Sequence, residues 1–291
     1  MKILEGVIIK GIGGFYYVNT PSGVIECRAR GVFRKKGMTP LVGDTVEVAT
    51  EDGKTGAVDG IKPRKNVLVR PAVANVTQMV AVAALESPKP NPYVLDKLIA
   101  SAEFAGLKIA VCFNKSDLTA DDSLAENYRK AGFETLVTSA ADNVNTDRLK
   151  SILKGEITVF AGNSGVGKSS LLNRVLGSEM FETGSVSDKT ERGRHTTRHS
   201  ELVELPFGGY IIDTPGFSSF ELDTIPLEDV PKLFREFGEV TGECRFLDCR
   251  HISEPDCCVR DAVMAGRISE LRHESYRLLY EEVKKARQNQ F

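Results

Sequence analysis

The most constraining feature of this 291-residue sequence is a glycine-rich stretch at residues 162–169 with the pattern G-x-x-x-x-G-K-[ST]. It follows an apolar run, Ile157–Ala161, that is typical of a buried strand, and it precedes a segment, 169–176, that predicts a helix. A strand, a glycine turn and a helix in this order form a phosphate-binding loop, because backbone N–H groups and the positive end of the helix converge on one anion. The sequence therefore predicts a nucleotide site on an α/β scaffold.

Two side chains at the end of this loop have specific expected roles. Lys168 is predicted to bridge the β- and γ-phosphates, and the Ser169 hydroxyl is predicted to bind Mg²⁺. A glycine turn without a ligand is the alternative interpretation, and the flanking strand and helix argue against it. The other residues expected to contact the nucleotide are Gly162, Asn163, Ser164, Gly165, Val166, Gly167 and Ser170.

Upstream of the loop, apolar strands alternate with amphipathic helices. This alternation predicts a mostly parallel sheet covered by helices, with ligands bound at the carboxyl ends of the strands. The predicted strands are 79–85, 109–113, 135–138 and 157–161, and the predicted helices are 93–105, 124–131 and 149–153.

Two short motifs at strand ends predict which base is bound. In the motif NKSD at 114–117, the Asp117 carboxylate can accept hydrogen bonds from guanine N1–H and the exocyclic amine, which adenine does not offer in that arrangement. Asn114 and Lys115 are expected to hold this loop and cover the base. After the next strand, Ser139 and Ala140 resemble the GTPase loop whose backbone meets guanine O6. NKSD alone could be an ordinary polar turn, but with the phosphate loop these motifs favour GTP over ATP.

Two segments downstream of the loop are suited to sensing a γ-phosphate. In the motif DTPG at 213–216, Asp213 suits a water-mediated contact with Mg²⁺, and the Gly216 N–H suits the γ-phosphate. Residues 193–198 are polar and contain glycine, which is typical of a mobile switch, and a switch threonine completes the Mg²⁺ shell in such enzymes.

The first 68 residues predict a small all-β domain. Short β-branched or aromatic runs alternate with glycine and proline turns, and about five strands in this length suit an OB-fold barrel. The stretch Phe15-Tyr16-Tyr17 could stack on bases, or it could be a core aromatic group among solvated charges, and the sequence leaves both open. Candidate phosphate contacts are Arg28, Arg30, Arg34, Lys35 and Lys36.

The last segment carries the cluster Cys244-x4-Cys249-x-His251-x5-Cys257. Three thiolates and one imidazole form a tetrahedral set suited to structural zinc, with ordinary reduced cysteines as the alternative. Cys258 is expected to point elsewhere.

Beyond the cysteine cluster, apolar spacing predicts the buried face of a terminal helix at Ile268, Leu271, Leu279, Val283 and Ala286. Its other faces carry basic residues that either contact RNA or are solvated, namely Arg272, Arg277, Lys284, Lys285 and Arg287.

Composition excludes several classes of protein. With 41% hydrophobic and 27% charged residues, the sequence is typical of soluble globular proteins. Its longest apolar run, Met79–Leu85, is far shorter than the roughly 20 residues that span a bilayer. Six cysteines without an export signal suit a reducing compartment, so we expect a cytoplasmic protein without a membrane partner. The net charge of −2 is a sum over segments of opposite charge, because residues 1–70 are basic and residues 71–242 are acidic.

The order of the nucleotide-binding motifs is unusual. Common GTPases place the phosphate loop first, then the switch threonine, DxxG, NKxD and SA, whereas here NKSD and TSA come first. This order is a circular permutation of the same cycle. Together with the GRHTT switch at 193–197, the N-terminal barrel and the cysteine cluster, it resembles the RsgA family of circularly permuted GTPases over essentially the whole sequence.

The resemblance implies a multidomain α/β protein. Its parts would be an OB-fold RNA-binding domain at 1–68, a circularly permuted P-loop GTPase domain at 69–222 and a mostly helical zinc-binding domain at 223–291. It also implies a Mg²⁺-dependent GTP hydrolase that binds the 30S ribosomal subunit and its 16S rRNA late in maturation and is stimulated by the subunit. Nothing in the sequence requires an oligomer, so a monomer is expected.

The same resemblance assigns the catalytic residues. His195 matches the switch histidine that assists hydrolysis, and Thr197 matches the switch threonine that binds Mg²⁺ and senses GTP. Phe217 stands where Ras-like proteins place a water-orienting glutamine. A histidine in a switch could equally contact RNA, and that alternative stays open. The expected catalytic set is His195, Thr197, Lys168 and Gly216.

Two other functions compete with GTP hydrolysis. A non-enzymatic RNA scaffold could use the nucleotide as a structural ligand, but the complete set for Mg²⁺ and phosphate chemistry argues against it. An ATP-using kinase or ATPase is opposed by Asp117 in NKSD.

Overall fold

The computed structural model describes residues 2–35, 37–68, 72–181, 200–213, 224–242 and 244–288. The chain divides into two compact units. The first comprises Met1–Gln78, Leu153–Phe160 and Val186–Phe217, and the second comprises Met79–Ile152, Ala161–Ser185 and Ser218–Phe291.

Strands and helices are numbered in chain order. The strands are β1 Lys2–Ile12, β2 Phe15–Thr20, β3 Gly23–Ala29, β4 Thr45–Thr50, β5 Thr55–Ile61, β6 Val67–Leu68, β7 Val73–Ala74, β8 Gln78–Ala84, β9 Lys108–Asn114, β10 Glu134–Val137, β11 Ile157–Ala161, β12 Glu201–Glu204 and β13 Tyr210–Asp213. The α-helices are α1 Gly31–Lys35, α2 Pro92–Phe104, α3 Ser123–Lys130, α4 Thr146–Leu153, α5 Lys168–Leu176, α6 Cys258–Met264 and α7 Glu270–Gln288.

The first unit contains a closed five-stranded barrel, as the sequence predicts. Strand β1 pairs with both β2 and β4, β2 pairs with β3, β3 runs parallel to β5, and β5 returns to β4. Gly6 lies in the strand that closes the barrel, where a Cβ would be 2.4 Å from the Asn19 carbonyl oxygen. The barrel core consists of side chains with no exposed surface, including Ile8, Val18, Ile25, Val46, Val48 and Val58.

Strand β1 is much longer than the apolar run Val7–Ile9 predicts, because it pairs on both sides and a bulge between Ile8 and Lys10 lets it bend. Its far end also meets β12, where the Lys10 ammonium lies 2.7 Å from a Glu201 carboxylate oxygen. Strand β13 pairs antiparallel with β12 and parallel with β11.

The second unit carries the predicted alternation of strands and helices. Strands β10, β9 and β8 lie side by side in that order, and β9 and β10 are parallel. All seven residues of β8 are buried, which is typical of a strand covered on both faces. Helix α2 begins at an Asn91 cap whose side chain accepts the Val94 N–H at 3.3 Å, and Pro92 opens its first turn.

The carboxy-terminal part of the second unit is mostly helical, as predicted. Two 3₁₀ segments, Leu227–Leu233 and Arg235–Phe237, pack with α6 and α7 around a shared apolar core that also includes Ala100 of α2. Within the described residues, no helix combines the length and apolar character needed to cross a membrane.

The predicted faces of α7 are partly wrong. Leu271 is exposed, whereas Arg272, which was expected to be solvated or to contact RNA, is 1% exposed. The helix buries the face formed by Arg272, Tyr276, Leu279 and Val283. Apolar periodicity predicts Leu279 and Val283 of this face correctly and misses Arg272, because this buried side chain is charged.

Candidate nucleotide and metal sites

Glycine is required where the phosphate loop approaches other backbone. Gly162 has φ +150°, and a Cβ there would lie 2.1 Å from the Val82 carbonyl oxygen. Gly167 has φ +91°, and a Cβ there would lie 2.3 Å from Asn114 Nδ2. Helix α5 begins at the next residue, so its N-terminal N–H groups lie beside the loop.

The Lys168 ammonium is bound by the loop itself. Its Nζ donates to the carbonyl oxygens of Gly162 at 2.7 Å and Asn163 at 2.8 Å, and burial lowers the pKa of this ammonium. A nucleotide phosphate is an ionised acceptor and makes stronger hydrogen bonds than these carbonyls. The lysine is therefore placed to exchange neutral acceptors for phosphate oxygens.

Asn114 joins three of the predicted motifs. Its side chain is 1% exposed, and its Nδ2 donates to the carbonyl oxygen of Val166 in the phosphate loop at 2.9 Å. Its Oδ1 accepts hydrogen bonds from the Thr138 hydroxyl at 3.3 Å and the Ala140 N–H at 3.2 Å. One buried amide thus fixes the NKSD loop against the phosphate loop and the following SA loop.

Lys115 and Asp117 complete this arrangement. Lys115 has a left-handed φ of +64°, and its ammonium donates to the Ser87 carbonyl oxygen. The Asp117 carboxylate accepts a hydrogen bond from the Ser139 hydroxyl at 2.6 Å through Oδ1. That hydroxyl also accepts the Asp142 N–H at 3.0 Å, so the carboxylate is oriented by the loop beside it.

These motifs line one open pocket of about 860 Å³. Among the predicted nucleotide contacts, its walls include Asn114, Lys115, Asp117, Ala140, Gly167 and Ser170. The structure therefore brings the base motifs and the end of the phosphate loop into one cavity, at the carboxyl ends of β9 and β10.

The sequence predictions did not include two polar residues of this pocket, Asn173 and Arg174 of helix α5. Asn173 exchanges two hydrogen bonds of 2.8 Å with the backbone of Phe181 and so holds the chain that leaves the helix. Arg174 donates to the carbonyl oxygens of Ala140 at 2.7 Å and Ala141 at 3.2 Å. Basic residues are common in the last turn of a helix because they interact favourably with the helix dipole, so the sequence contains no specific signal for these contacts.

The predicted metal ligands form a compact cluster. The donor atoms of Cys244, Cys249, His251 and Cys257 all lie within 4.8 Å of one another, so they could hold one metal ion. His251 Nδ1 is 3.6 Å from Cys244 Sγ and 3.4 Å from Cys257 Sγ. Burial lowers the pKa of His251, which favours the neutral imidazole that binds metals.

Cys258 lies closer to this cluster than the sequence suggests. It opens α6, and its Sγ is 2.7 Å from Cys244 Sγ and 2.8 Å from the Val240 carbonyl oxygen. It is therefore a neighbour of one ligand sulfur and also a donor to the backbone.

The aromatic group of the barrel is half-buried rather than in the core. The Arg28 guanidinium lies 4.5 Å from the centre of the Phe15 ring, and the Tyr17 hydroxyl donates to Glu26 at 3.1 Å. Arg30 forms an ion pair of 2.8 Å with Asp59. Of the predicted phosphate contacts, Arg28 and Arg30 thus have partners within the barrel, and the side chains of 34–36 lie outside the described residues.

Comparison with known proteins identifies the family. A family model described as RsgA GTPase matches residues 61–223, and one described as RsgA N-terminal domain matches residues 5–58. The chain is 48% identical to the small ribosomal subunit biogenesis GTPase RsgA of Ruminiclostridium cellulolyticum, covering 96% of this chain and 93% of that protein. The chain belongs to the RsgA GTPase family. The RsgA of Caldanaerobacter subterraneus subsp. tengcongensis is 47% identical over 100% of this chain and 99% of its own length.

Solved structures agree with the RsgA assignment. The crystal structure of YjeQ from Thermotoga maritima has a TM-score of 0.82 and 34% identity, and covers 97% of this chain and 99% of its own. The structure of YloQ, described as a circularly permuted GTPase, has a TM-score of 0.83 and 35% identity, and covers 98% of this chain and 96% of its own. The predicted fold class, a circularly permuted GTPase with an N-terminal barrel, is confirmed, and the chain is a GTPase.

Several expected residues of the RsgA-type site are not covered by the structure. His195, Thr197 and Gly216 lie outside the described residues. Asp213 is the last residue of β13, and its side chain is likewise not described. Their roles, and the domain boundaries at 68 and 222, stay predictions.

Proposed function

We propose that this protein hydrolyses GTP to GDP and phosphate, with Mg²⁺, as a late assembly factor of the 30S ribosomal subunit. The observation that carries the proposal is the Asn114 side chain, which joins the base motifs to the phosphate loop at one pocket. The names of the relatives, small ribosomal subunit biogenesis GTPases, support the cellular role.

Each part of the nucleotide has proposed partners. The Asp117 carboxylate binds guanine N1–H and the exocyclic amine, and the Ala140 N–H, which donates to Asn114 Oδ1 at 3.2 Å, shares its hydrogen with O6 in a three-centre bond. Loop backbone and Lys168 bind the phosphates, and Ser169 with Thr197 would hold Mg²⁺, which would supply positive charge to the phosphates. Asp213 would help to hold the metal, the Gly216 N–H would contact the γ-phosphate, and His195 would orient the attacking water.

Changing Asp117 to Asn should shift the base preference of the site from guanine to xanthine. The amide cannot accept both guanine donors, but its NH₂ can donate to the 2-carbonyl of xanthine. Because Ser139 donates to Oδ1, an oxygen that asparagine retains, the loop should keep its shape. We expect GTP affinity to fall about 100-fold or more and XTP affinity to rise above it. Equilibrium titration with both nucleotides measures this.

The control for this exchange is Asp142→Asn, which removes a nearby exposed carboxylate of the same charge. It should leave the GTP preference unchanged. An Asp117→Asn variant that still prefers GTP over XTP would show that this carboxylate does not read the base.

The terminal parts of the chain supply the proposed partners. The basic barrel and the C-terminal segment bind 16S rRNA, and the protein acts as a cytoplasmic monomer. The metal is a structural Zn²⁺, because three thiolates and one imidazole suit zinc and leave no open coordination position.

Stimulation by the 30S subunit is the direct test of the role. GTP turnover should rise severalfold or more with purified 30S particles and stay near the basal rate with 50S particles or free rRNA. In the His195→Ala variant the stimulated rate should fall by about 10²-fold, the scale of one positioned proton-transfer or water-orienting group, with nucleotide affinity retained.

Two results would contradict these roles separately. Equal GTP turnover with 30S particles, with 50S particles and without particles would contradict the proposal that the protein is an assembly factor. Full stimulated turnover in His195→Ala, with the 30S response intact, would remove only the catalytic assignment and leave an RNA contact as the role of this side chain.

A further inference from the structure

The loop that is expected to bind guanine O6 is held by Asn114, whose Oδ1 accepts the Ala140 N–H at 3.2 Å, and by Arg174 of helix α5. Its first residue is fixed, because the Ser139 carbonyl oxygen accepts the Val144 N–H at 2.9 Å and the Ser139 N–H donates to the Val144 carbonyl at 3.4 Å. Between these residues the chain turns through exposed positions 141–143, and Asn143 has a left-handed φ of +59°. The peptide that carries the Ala140 N–H therefore lies at the start of a turn on the pocket wall.

Helix α5 supplies the contacts to the carbonyl oxygens of that turn. Arg174 Nε donates to the Ala140 carbonyl oxygen at 2.7 Å, and its terminal nitrogen donates to the Ala141 carbonyl oxygen at 3.2 Å. The guanidinium is planar and presents several donors in a fixed fork, so two contacts to consecutive carbonyls restrict the rotation of the Ala140–Ala141 peptide, which directly follows the peptide that carries the Ala140 N–H. A lysine ammonium has no such fork.

The same helix begins at the phosphate loop. Lys168 is its first residue and Arg174 lies in its last turn, so one rigid element of nine residues contacts the phosphate loop at one end and the base loop at the other. Helix α5 therefore links the position of the Ala140–Ala141 turn to the position of the phosphate loop.

We propose that Arg174 is a positioning residue for guanine specificity, which holds the Ala140–Ala141 turn so that the neighbouring Ala140 N–H, which donates to Asn114 Oδ1, also meets O6 of the base. The inference rests on the proposed GTP-binding function and deepens it, since neither the motifs nor the family assignment gives this side chain a role. Arg174 acts through the loop and not on the phosphates, so its loss affects recognition of atom 6 of the base and leaves turnover at saturation intact.

The test compares two ligands that differ at one atom. GDP carries oxygen at position 6, and 6-thioguanosine 5′-diphosphate carries sulfur, which is a weak acceptor. In the full-length protein, Arg174→Ala should lower the affinity for GDP about 10-fold and the affinity for the thio analogue much less, so that the ratio of the two affinities falls. The KM for GTP should rise correspondingly, with kcat unchanged.

Matched variants separate positioning from general damage. Arg174→Lys keeps the charge without the fork and should give a ratio close to that of Arg174→Ala. Arg148→Ala removes a nearby exposed arginine that pairs with Glu134, and it should behave as wild type. Thermal unfolding of each variant confirms that the chain is folded.

Each outcome decides one question. If wild type shows no preference for GDP over ADP, the proposed function fails. If wild type prefers GDP but Arg174→Ala loses the same factor for both guanosine ligands, the arginine supports the helix in general and the inference is overturned. The inference is equally overturned if Arg174→Ala binds both ligands as wild type does.

Discussion

Replacing Arg272 with alanine is expected to lower the free energy of unfolding of the second compact unit by about 3–5 kcal/mol. Its guanidinium donates to both carboxylate oxygens of Glu236, at 2.7 and 3.0 Å, and to Asp96 at 2.6 Å. All three side chains are buried. Burial raises the pKa of Asp96, and the Arg272 charge opposes that rise, so removing the guanidinium leaves two buried carboxyls without their cation.

Hydrogen exchange of peptides from α2 and α7 is the appropriate measurement, because Asp96 and Arg272 belong to these two helices. Protection in both should fall together in Arg272→Ala. The control is Arg277→Ala on the same helix, whose exposed pair with Glu274 at 2.8 Å should contribute less than about 1 kcal/mol.

A triple variant distinguishes lost charge pairing from lost packing. Arg272→Met with Asp96→Leu and Glu236→Met removes all three charges and keeps side-chain volume, so much of the lost stability should return. If Arg272→Ala alone leaves exchange unchanged in both helices, the cluster contributes nothing to holding them together.

Removing the metal should open the segment 244–257 while α7 stays attached to α2. Structural zinc contributes an apparent free energy of about 10–16 kcal/mol in small zinc domains. The contacts within one short segment cannot replace that contribution when the metal is removed. Helix α7, in contrast, packs in a core that includes Phe234, Phe237 and Val230, and it also holds the Arg272 cluster. Limited proteolysis of the full-length protein with and without a chelator should show cleavage in this segment first.

Two neighbouring cysteines provide a matched pair for the same experiment. Cys257→Ser removes a predicted ligand and should reproduce the effect of the chelator. Cys258→Ser changes the adjacent sulfur, which is outside the four-residue ligand set, and should retain the metal and resist cleavage. A chelated wild-type protein that resists protease throughout 244–257 would show that this segment does not depend on metal.

Local chemistry explains what the sequence predicted well. The phosphate loop, NKSD and the cysteine cluster each require particular residue types at short spacing. The structure brings the four ligand atoms of the cluster within 4.8 Å of one another, and it places NKSD and the end of the phosphate loop at one pocket. The alternating strands and helices around residues 79–161 are likewise a local pattern, and the observed bounds differ from the predicted ones by only a few residues.

Contacts between distant segments explain what the sequence could not show. Arg174 and Ala140 are 34 positions apart, and Arg272 and Asp96 are 176 apart. In both cases an arginine on a helix surface has its partners on another element, and the sequence pattern of a helix does not distinguish such a residue from a solvated one. For this reason the helical pattern predicts an exposed Arg272, and the structure buries it.

The Asn114 amide has a consequence for the order in which the protein can be made. Its partner in the phosphate loop, Val166, follows 52 residues later in the chain. Because a chain emerges from its amino end during synthesis, the NKSD and SA loops leave the exit tunnel before the segment that closes them against the phosphate loop. A nascent chain that ends at residue 152 would thus contain both base-binding loops, but its Asn114 Nδ2 would lack the Val166 acceptor. The loops could be fixed against the phosphate loop only after β11 and the glycine turn had been synthesised.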